Sequence, residues 1–126
     1  MNKTGFVWHE RYMWHDNGAA SGSYRVRGDL QPGTHVENPE TKRKFKNLLD
    51  AYEVTPQLQT LPITEATDAE LQRFHTPEYV ARVQHLSEHA GGEAGEFTPV
   101  GPGSANIARL GVGGTTAAIA AVAQGE

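Results

Sequence analysis

Residues 38–63 read NPETKRKFKNLLDAYEVTPQLQTLPI, and this stretch decides the fold class. Asn38-Pro39-Glu40 predicts a helix start, with an Asn cap, proline at the first helical position and an acid in the first turn. The residues that follow form one apolar stripe at helical spacing: Phe45, Leu48, Leu49 and Tyr52. Leu58–Ile63 then predicts a strand at an edge or end of a sheet, because Pro62 cannot donate to a ladder.

The helix also carries a basic face, formed by Lys42, Arg43, Lys44 and Lys46. Such a run is compatible with a phosphate-binding patch, but a solvated helix face is the better interpretation. The chain has 11 basic and 15 acidic residues, a formal net charge of −4. This balance argues against nucleic acid or an anionic membrane as the main partner.

A second strand is predicted before the helix, at Gly5–Trp8, a short apolar run that we interpret as buried. Two strands separated by a helix indicate a parallel pair in a sheet covered on both faces. The predicted class is therefore α/β, helix-rich, with a small two-stranded parallel sheet. A domain of this type normally has more strands than this chain provides.

Three more helices are predicted farther along the chain. Thr67-Asp68-Ala69-Glu70 is a capping box that opens a short helix with Leu71 and Phe74 inward. Thr76-Pro77 opens the next helix. Its apolar face comprises Tyr79, Val80, Val83 and Leu86. Ser104 is predicted to cap the last helix, whose larger apolar positions are Ile107, Leu110, Ile119 and Val122.

Two long segments lack a sustained period and are predicted to be loops, at residues 9–35 and 90–104. Both are rich in glycine and also contain proline. Loops of such length inside a domain are usually functional or are ordered by a partner.

The length of 126 residues fits one domain or one piece of a domain. The absence of cysteine excludes disulfides, thiolate zinc sites and cysteine nucleophiles. No signal-peptide pattern follows Met1, and the longest apolar run, Ala117–Ala123, is too short to span a membrane. We therefore expect a cytoplasmic protein.

His85-Leu86-Ser87-Glu88-His89 fits the H-x-x-E-H pattern of some zinc proteases. The remaining sequence offers only Glu93, Glu96 and Glu126 as a carboxylate third ligand. Because the helix is predicted to end near His89, surface histidines at a helix C-terminus explain the pattern better than a metalloprotease site.

Other histidines form weaker candidates. His9-Glu10, His15-Asp16 and His35 lie in or beside the first loop, where they could bind zinc or be exposed loop residues. We expect His75, between two helices, to be buried and hydrogen-bonded.

Two further motifs give little indication of a catalytic site. Gly111-Val112-Gly113-Gly114 lies within a helical pattern, which favours close packing of that helix over a phosphate loop. The sequence contains no G-x-S-x-G motif and signals no Ser-His-Asp triad.

A series of short motifs, in order, resembles one family. They are Gly5–Trp8, Gln31–His35, Pro39–Phe45, Ala66–Leu71, Phe74–Val80, Gly91–Glu96, and Ile107–Leu110 with Gly113-Gly114. The family is that of the histone deacetylase-like amidohydrolases, of the bacterial class II type that includes acetylpolyamine amidohydrolases. The resemblance covers essentially the whole chain.

The resemblance implies an arginase/deacetylase-like α/β fold and, in complete members, a zinc-activated water that attacks an acyl-lysine-type amide. This sequence has no His-His dipeptide. It also stops before the Asp-x-His, the later Asp and the oxyanion-stabilising Tyr of the family pattern. We therefore predict that residues 1–126 are an N-terminal segment without catalytic or metal-binding residues, inactive alone.

The resemblance also implies one site residue. Glu96, in Gly92-Glu93-Ala94-Gly95-Glu96, matches a carboxylate at the rim of the substrate channel that accepts a hydrogen bond from the substrate's backbone amide. Segments 9–35 and 90–104 match the two rim loops of complete members.

Two hypotheses follow for the role of this chain. The first is an inactive segment of a zinc amidohydrolase. The second is a free-standing interaction module, whose exposed strand edge and apolar helix faces would bind a second copy or a deacetylase-like subunit.

Overall fold

The structure is a computed structural model that describes residues 3–26 and 28–125. The strands are β1 (Gly5–Phe6), β2 (Ala19–Ser21), β3 (Tyr24–Arg25), β4 (Gly33–Thr34), β5 (Gln59–Thr60), β6 (Gly92–Gly95) and β7 (Thr98–Val100). The α-helices are α1 (Glu40–Ala51), α2 (Asp68–Leu71), α3 (Pro77–Glu88) and α4 (Ser104–Gln124). Two short 3₁₀ helices lie at Glu10–Trp14 and Thr55–Gln57.

The predicted parallel pair is present. β1 pairs with β5 in parallel, with Gly5 opposite Gln59 and Phe6 opposite Thr60. The Leu61 amide continues the ladder by donating to the Phe6 carbonyl over 3.1 Å. The prediction of a buried strand over residues 5–8 is wrong in length and burial, because β1 has two residues, of which Gly5 is exposed and Phe6 half-buried.

Helix α4 covers the parallel pair and provides much of the core. A Cβ on Gly113 would lie 1.7 Å from the Thr64 carbonyl oxygen, and one on Gly114 would lie 2.5 Å from Val7 Cγ1. The Tyr12 hydroxyl donates to the Leu110 carbonyl over 3.0 Å. The prediction that small residues permit close packing here is therefore confirmed.

The start of α4 differs from the prediction. Gly103 precedes the helix in the left-handed conformation, with φ of 78°, and Ser104 is the first helical residue. The Ser104 hydroxyl accepts a hydrogen bond from the Gly101 amide over 3.1 Å. Ser104 thus stabilises the preceding turn instead of capping the helix.

Helix α1 begins one residue later than predicted, at Glu40 with Pro39 in the cap position, although the Asn38 side chain still accepts from the Glu40 amide over 3.0 Å. Its basic face is solvated and ion-paired: Arg43 contacts Glu10 at 2.8 Å, and Lys46 contacts Asp50 at 2.6 Å. The apolar stripe is largely exposed in the described part of the chain. The exposed members are Phe45, Leu48 and Tyr52.

The capping predictions for α2 and α3 are confirmed. The Thr67 side chain and the Glu70 carboxylate exchange hydrogen bonds with each other's backbone amides. The Thr76 hydroxyl accepts from the Tyr79 amide over 3.2 Å. The inward placement of Phe74 is wrong, because its side chain is 89% exposed. It lies in the short turn between α2 and α3, beyond the end of the periodic pattern.

The two segments predicted as loops contain ordered structure, which corrects that prediction. Residues 9–35 form the first 3₁₀ helix and an antiparallel sheet of order β3-β2-β4. Residues 90–104 contain the antiparallel β6–β7 pair, whose register shifts at Ala94. Strands of two to four residues are too short to show an alternating pattern in sequence.

No helix in the described part of the chain is a candidate for a membrane span. None of those within residues 3–26 and 28–125 combines the length and apolar character needed to cross a bilayer.

Candidate functional site

An open cleft lies where the β2–β3 and β6–β7 hairpins meet. Tyr24 from the first hairpin and Phe97 from the second contact edge to face, with ring centroids 5.2 Å apart and an angle of 89°. The cleft has a volume of about 900 Å³. Both rings remain partly accessible, with Tyr24 61% and Phe97 49% exposed. The cleft therefore presents an apolar wall built from two distant chain segments.

The β6–β7 turn projects Glu96 and Phe97 into this cleft. Phe97 has a φ of 54°, a left-handed conformation that costs a non-glycine residue roughly 1–2 kcal/mol. Two hydrogen bonds stabilise the turn: the Thr98 hydroxyl donates to the Glu96 carbonyl over 3.0 Å, and the Thr98 amide donates to the Glu93 carboxylate over 3.1 Å. Backbone strain held in this way is typical of functional positions.

Glu96 lies at the mouth of the cleft, where the sequence resemblance places a rim carboxylate. Its side chain is exposed and accepts no hydrogen bond or ion pair from the residues that the structure describes. The nearby Glu93 differs, because its carboxylate is bound to the Thr98 amide. Among the described residues, none competes with a ligand for a hydrogen bond to the Glu96 carboxylate.

Charged groups of both signs line the rest of the cleft. They are Arg25, Asp29, Arg82, Glu93 and Glu96. The Arg82 guanidinium donates to the Glu93 carbonyl over 2.8 Å and so links α3 to β6. The resulting surface combines aromatic and charged groups, which suits a ligand with both a polar backbone and an aliphatic chain.

A second groove of about 610 Å³ runs between α3, α4 and β7. Its walls are mainly apolar side chains, such as Val80, Val83 and Ile107. Arg109 lies at its edge but is held by Asp68 at 2.6 Å and by the Ala66 carbonyl at 3.1 Å. The groove has the character of a packing surface between helices.

The histidines of the first segment do not converge on a common point. The His9 ring accepts from the Arg11 amide over 3.1 Å. His15 is half-buried, and burial lowers its pKa below 6.5, an effect opposed by Asp16 and reinforced by His35. His35 is only 4% exposed, and its Nδ1 accepts from the Glu37 amide over 3.1 Å. His35 is therefore an interior residue of the segment.

The other candidate histidines lie on the surface. His85 and His89 are exposed at the end of α3, with ring centroids 4.2 Å apart. The prediction of a buried His75 is wrong: this residue is exposed, and its ring contacts those of Phe74 and Tyr79. The turn between α2 and α3 places it outside the core.

The zinc implied by the family finds no matching ligand set in the described residues. Across 3–26 and 28–125, no three His, Asp or Glu side chains are arranged to hold a metal ion. A catalytic zinc site needs three protein ligands and an open position. These residues alone do not fit that metal.

Sequence reasoning placed Glu96 at the rim but missed the aromatic pair. One signal was available: Gly22-Ser23 is a two-residue hairpin turn of the Gly-X kind, and Gly22 has a φ of 64°. That signal predicts a hairpin and exposes Tyr24 next to the turn. No comparable signal identifies Phe97 as a left-handed residue, because phenylalanine is disfavoured there.

Comparisons with known proteins identify the family of this chain. The Histone deacetylase domain family profile matches residues 35–126. A histone deacetylase-like amidohydrolase of Pseudomonas aeruginosa is 41% identical over 127 aligned residues, which cover 98% of this chain and 33% of that protein. The chain thus spans about a third of this curated relative's length.

The fold comparison gives the same result. The crystal structure of the HDA15 HD domain superposes on 97% of this chain and 32% of its own, with a TM-score of 0.78 and 27% identity. The mixed helix and strand arrangement with its small parallel sheet therefore matches part of a deacetylase domain. From the profile match and the 41% identity together, the chain belongs to the histone deacetylase domain family, as a deacetylase-like amidohydrolase fragment.

Proposed function

We propose that this chain forms the N-terminal part of a zinc-dependent deacetylase-like amidohydrolase and supplies the rim of its substrate cleft. The observation that carries the proposal is the meeting of Tyr24 and Phe97 beside the exposed Glu96 carboxylate. Two segments that sequence resemblance assigns to the rim contribute to one cleft. The substrate of the complete enzyme would be an acyl-lysine peptide or an acetylpolyamine.

Each group of the cleft has a separate role in this proposal. The Glu96 carboxylate accepts a hydrogen bond from a substrate backbone N–H, an interaction strengthened by the negative charge. The faces and edges of Tyr24 and Phe97 contact the aliphatic part of the substrate. These contacts orient the substrate but break no bond, because bond cleavage needs the polarising metal centre that the family implies.

We also propose that the chain alone does not hydrolyse amides. Its sequence lacks the tandem His pair of the family pattern, and its described residues provide no three-ligand metal site. The test is deacetylation of an acetyl-lysine peptide by the purified chain with added Zn²⁺. We expect no turnover above the rate without protein, and turnover at an enzyme-like rate would overturn this part of the proposal.

The rim role is tested in a chimera, in which this chain replaces the matching third of the Pseudomonas aeruginosa relative. We expect Glu96→Gln to lower kcat/KM for an acetyl-lysine peptide by about tenfold or more, the value of a hydrogen bond to a charged group. Glu78→Gln, an exposed change on α3, is the matched control and should leave kcat/KM unchanged. Equal kcat/KM for the Glu96 variant and the parent chimera would contradict the rim role.

A second candidate function is protein binding, favoured by the exposed apolar faces of two helices. The residues concerned are Phe45, Leu48 and Tyr52 on α1, and Ile119 and Val122 on α4. We propose that these faces and the open edge of the β1–β5 pair bind a second copy of the chain or a deacetylase-like subunit in the cytoplasm.

Sedimentation velocity tests this second candidate across micromolar concentrations. We expect the parent chain to self-associate and Leu48→Glu to shift it towards monomer. A sedimentation coefficient that stays at the monomer value at every concentration, with no binding to the remaining part of the relative's domain, would refute it.

A further inference from the structure

We propose that His85 and His89 form a surface site for a divalent transition-metal ion such as Cu²⁺, Ni²⁺ or Zn²⁺. His85 lies in the last turn of α3 and His89 is the residue after the helix end, with ring centroids 4.2 Å apart. Both side chains are exposed, so an ion can reach them from solvent. Because His89 follows the last helical residue, the short separation of the rings, and not helix geometry, is what places two imidazoles within reach of one metal ion.

The hydrogen bonding of the pair leaves ring nitrogens free. His89 Nδ1 lies 2.7 Å from the His85 carbonyl oxygen, which can only accept, so Nδ1 carries the proton and donates. In neutral His89 the lone pair is therefore on Nε2. Metal-binding histidines usually donate their second ring nitrogen in this way, which fixes the ring and its tautomer. The ring of His85 has no hydrogen-bond partner in the described part of the chain.

The surroundings favour a cation. The pair lies at the negative end of the α3 macrodipole, where positive charge is stabilised. Glu88 lies between the two histidines in sequence, and its carboxylate accepts from the Gln84 amide over 2.7 Å. Arg82, three residues before His85, carries a positive charge that opposes a cation, and its guanidinium is held away by the Glu93 carbonyl at 2.8 Å.

The ligand set defines the class of ion. Two imidazoles supply nitrogen ligands, which suit Zn²⁺, Cu²⁺ and Ni²⁺, whereas Mg²⁺ and Ca²⁺ require oxygen ligands. No third His, Asp or Glu joins the pair among residues 3–26 and 28–125, so water completes the coordination. The expected order of affinity places Cu²⁺ above Ni²⁺ and Zn²⁺. A two-ligand site is distinct from a protease centre, which has three protein ligands.

Metal binding here would act on the base of the β6–β7 hairpin. The chain leaves α3 directly after His89, and the Gly91 amide donates to the Leu86 carbonyl over 3.0 Å. The Gly103 amide, at the other end of the hairpin, donates to the Ser87 carbonyl over 3.0 Å. An ion that bridges the last turn of α3 stabilises the helix end to which both strands are attached.

The test is titration of the purified chain with Cu²⁺ and Ni²⁺, followed by isothermal calorimetry and by broadening of backbone amide signals in NMR spectra. We expect saturable binding of one ion, with the strongest broadening at the end of α3. Either His85→Ala or His89→Ala should raise Kd at least about tenfold. The matched control is His75→Ala, an exposed histidine that lacks an i+4 partner histidine and should leave Kd unchanged.

A titration with Mg²⁺ and a measurement of amide exchange test the proposal further. Mg²⁺ at the same concentrations should produce no heat and no chemical-shift change. Amide exchange at Gly91 should slow when the ion is bound, whereas circular dichroism without metal should be the same for the parent and the variants. Unchanged Kd in the His85 and His89 variants, an equal loss in the His75 variant, or broadening centred elsewhere would overturn the proposal.

Discussion

Helices α1 and α4 both carry apolar residues at helical spacing, but only α4 has buried residues, and these lie in its first half, before Thr115. α4 buries five residues, two of which are the glycines Gly113 and Gly114. α1 buries none, although it carries Phe45, Leu48 and Tyr52. The comparison shows that apolar residues at helical spacing do not by themselves bury a helix face, and that in α4 Gly113 and Gly114 permit the close approach of a neighbouring segment.

The largest expected effect comes from filling the close approach in α4. Gly113→Ala places a Cβ 1.7 Å from the Thr64 carbonyl, so the two backbones must separate. We expect a loss of at least about 3 kcal/mol in the free energy of unfolding, the upper range of overpacking. Urea denaturation followed by circular dichroism measures it.

Gly111→Ala is the matched control, because its Cβ would have no atom within 4 Å. In an open helical position alanine is favoured over glycine by about 1 kcal/mol, so this variant should be more stable than the parent. Equal effects of the two substitutions would show that helix propensity, and not close packing, governs α4.

The next largest expected effect on stability is the truncation of a leucine, which differs between α4 and α1. Leu110 is 5% exposed on α4 and Leu48 is 53% exposed on α1. We expect Leu110→Ala to cost about 2–3 kcal/mol through lost burial and a cavity. Leu48→Ala should cost less than about 0.5 kcal/mol, as surface changes do. A large loss for Leu48→Ala in the monomeric chain would mean that α1 is packed in solution.

A smaller loss of stability is expected when the N-terminal cap of α3 is removed. Thr76→Ala removes the hydroxyl that accepts from the Tyr79 amide at the start of α3. The expected loss is about 1 kcal/mol, again from urea denaturation. Thr76→Ser retains the acceptor and should restore most of the stability. If serine and alanine behave alike, the cap does not stabilise α3.

The smallest expected effect is a pH dependence of the free energy of unfolding, which arises from the half-buried His15. Burial is the main cause that lowers its pKa below 6.5, so the unfolded chain binds this proton more readily than the folded one. The contribution to stability is present above pH 6.5 and is lost as pH falls through 6.5 towards the folded value. His15→Gln should flatten this part of the stability curve.

His15 and the surface carboxylates lose their contributions to stability in different pH ranges. The pKa of Glu70 is lowered from 4.5 by its bonds with Thr67, and that of Asp50 is lowered from 3.8 by Lys46 and Thr55. Their contributions are therefore lost only at still lower pH. Chemical denaturation at several pH values between 7.5 and 5 measures how the free energy of unfolding depends on pH. The same pH dependence in His15→Gln as in the parent chain would contradict the assignment to His15.

The sequence predicted the helices more accurately than the strands. Thr67 with Glu70, and Thr76, identified helix starts because their hydrogen bonds join residues three positions apart. The strands within residues 9–35 and 90–104 escaped prediction because each has only two to four residues. Their pairing depends on chain segments that are brought together by the fold.

The candidate site was predicted only in part. Glu96 was placed at the rim by its resemblance to a family motif, and this role stays a prediction. The contact between Tyr24 and Phe97 could not be predicted, because it joins two hairpins far apart in sequence. The exposure of His75 and Phe74 was missed for a similar reason, since no local pattern states which side of a short turn faces solvent.

The amino-acid sequence by itself determined the family, the class of fold and the starts of α2 and α3, because these depend on motif order and on hydrogen bonds between near neighbours. Only the tertiary structure decided which apolar faces are buried and which side chains meet at the cleft. The approach of Gly113 to Thr64 and the meeting of Tyr24 with Phe97 are long-range contacts. Such contacts depend on the geometry of the whole backbone, which no local pattern encodes.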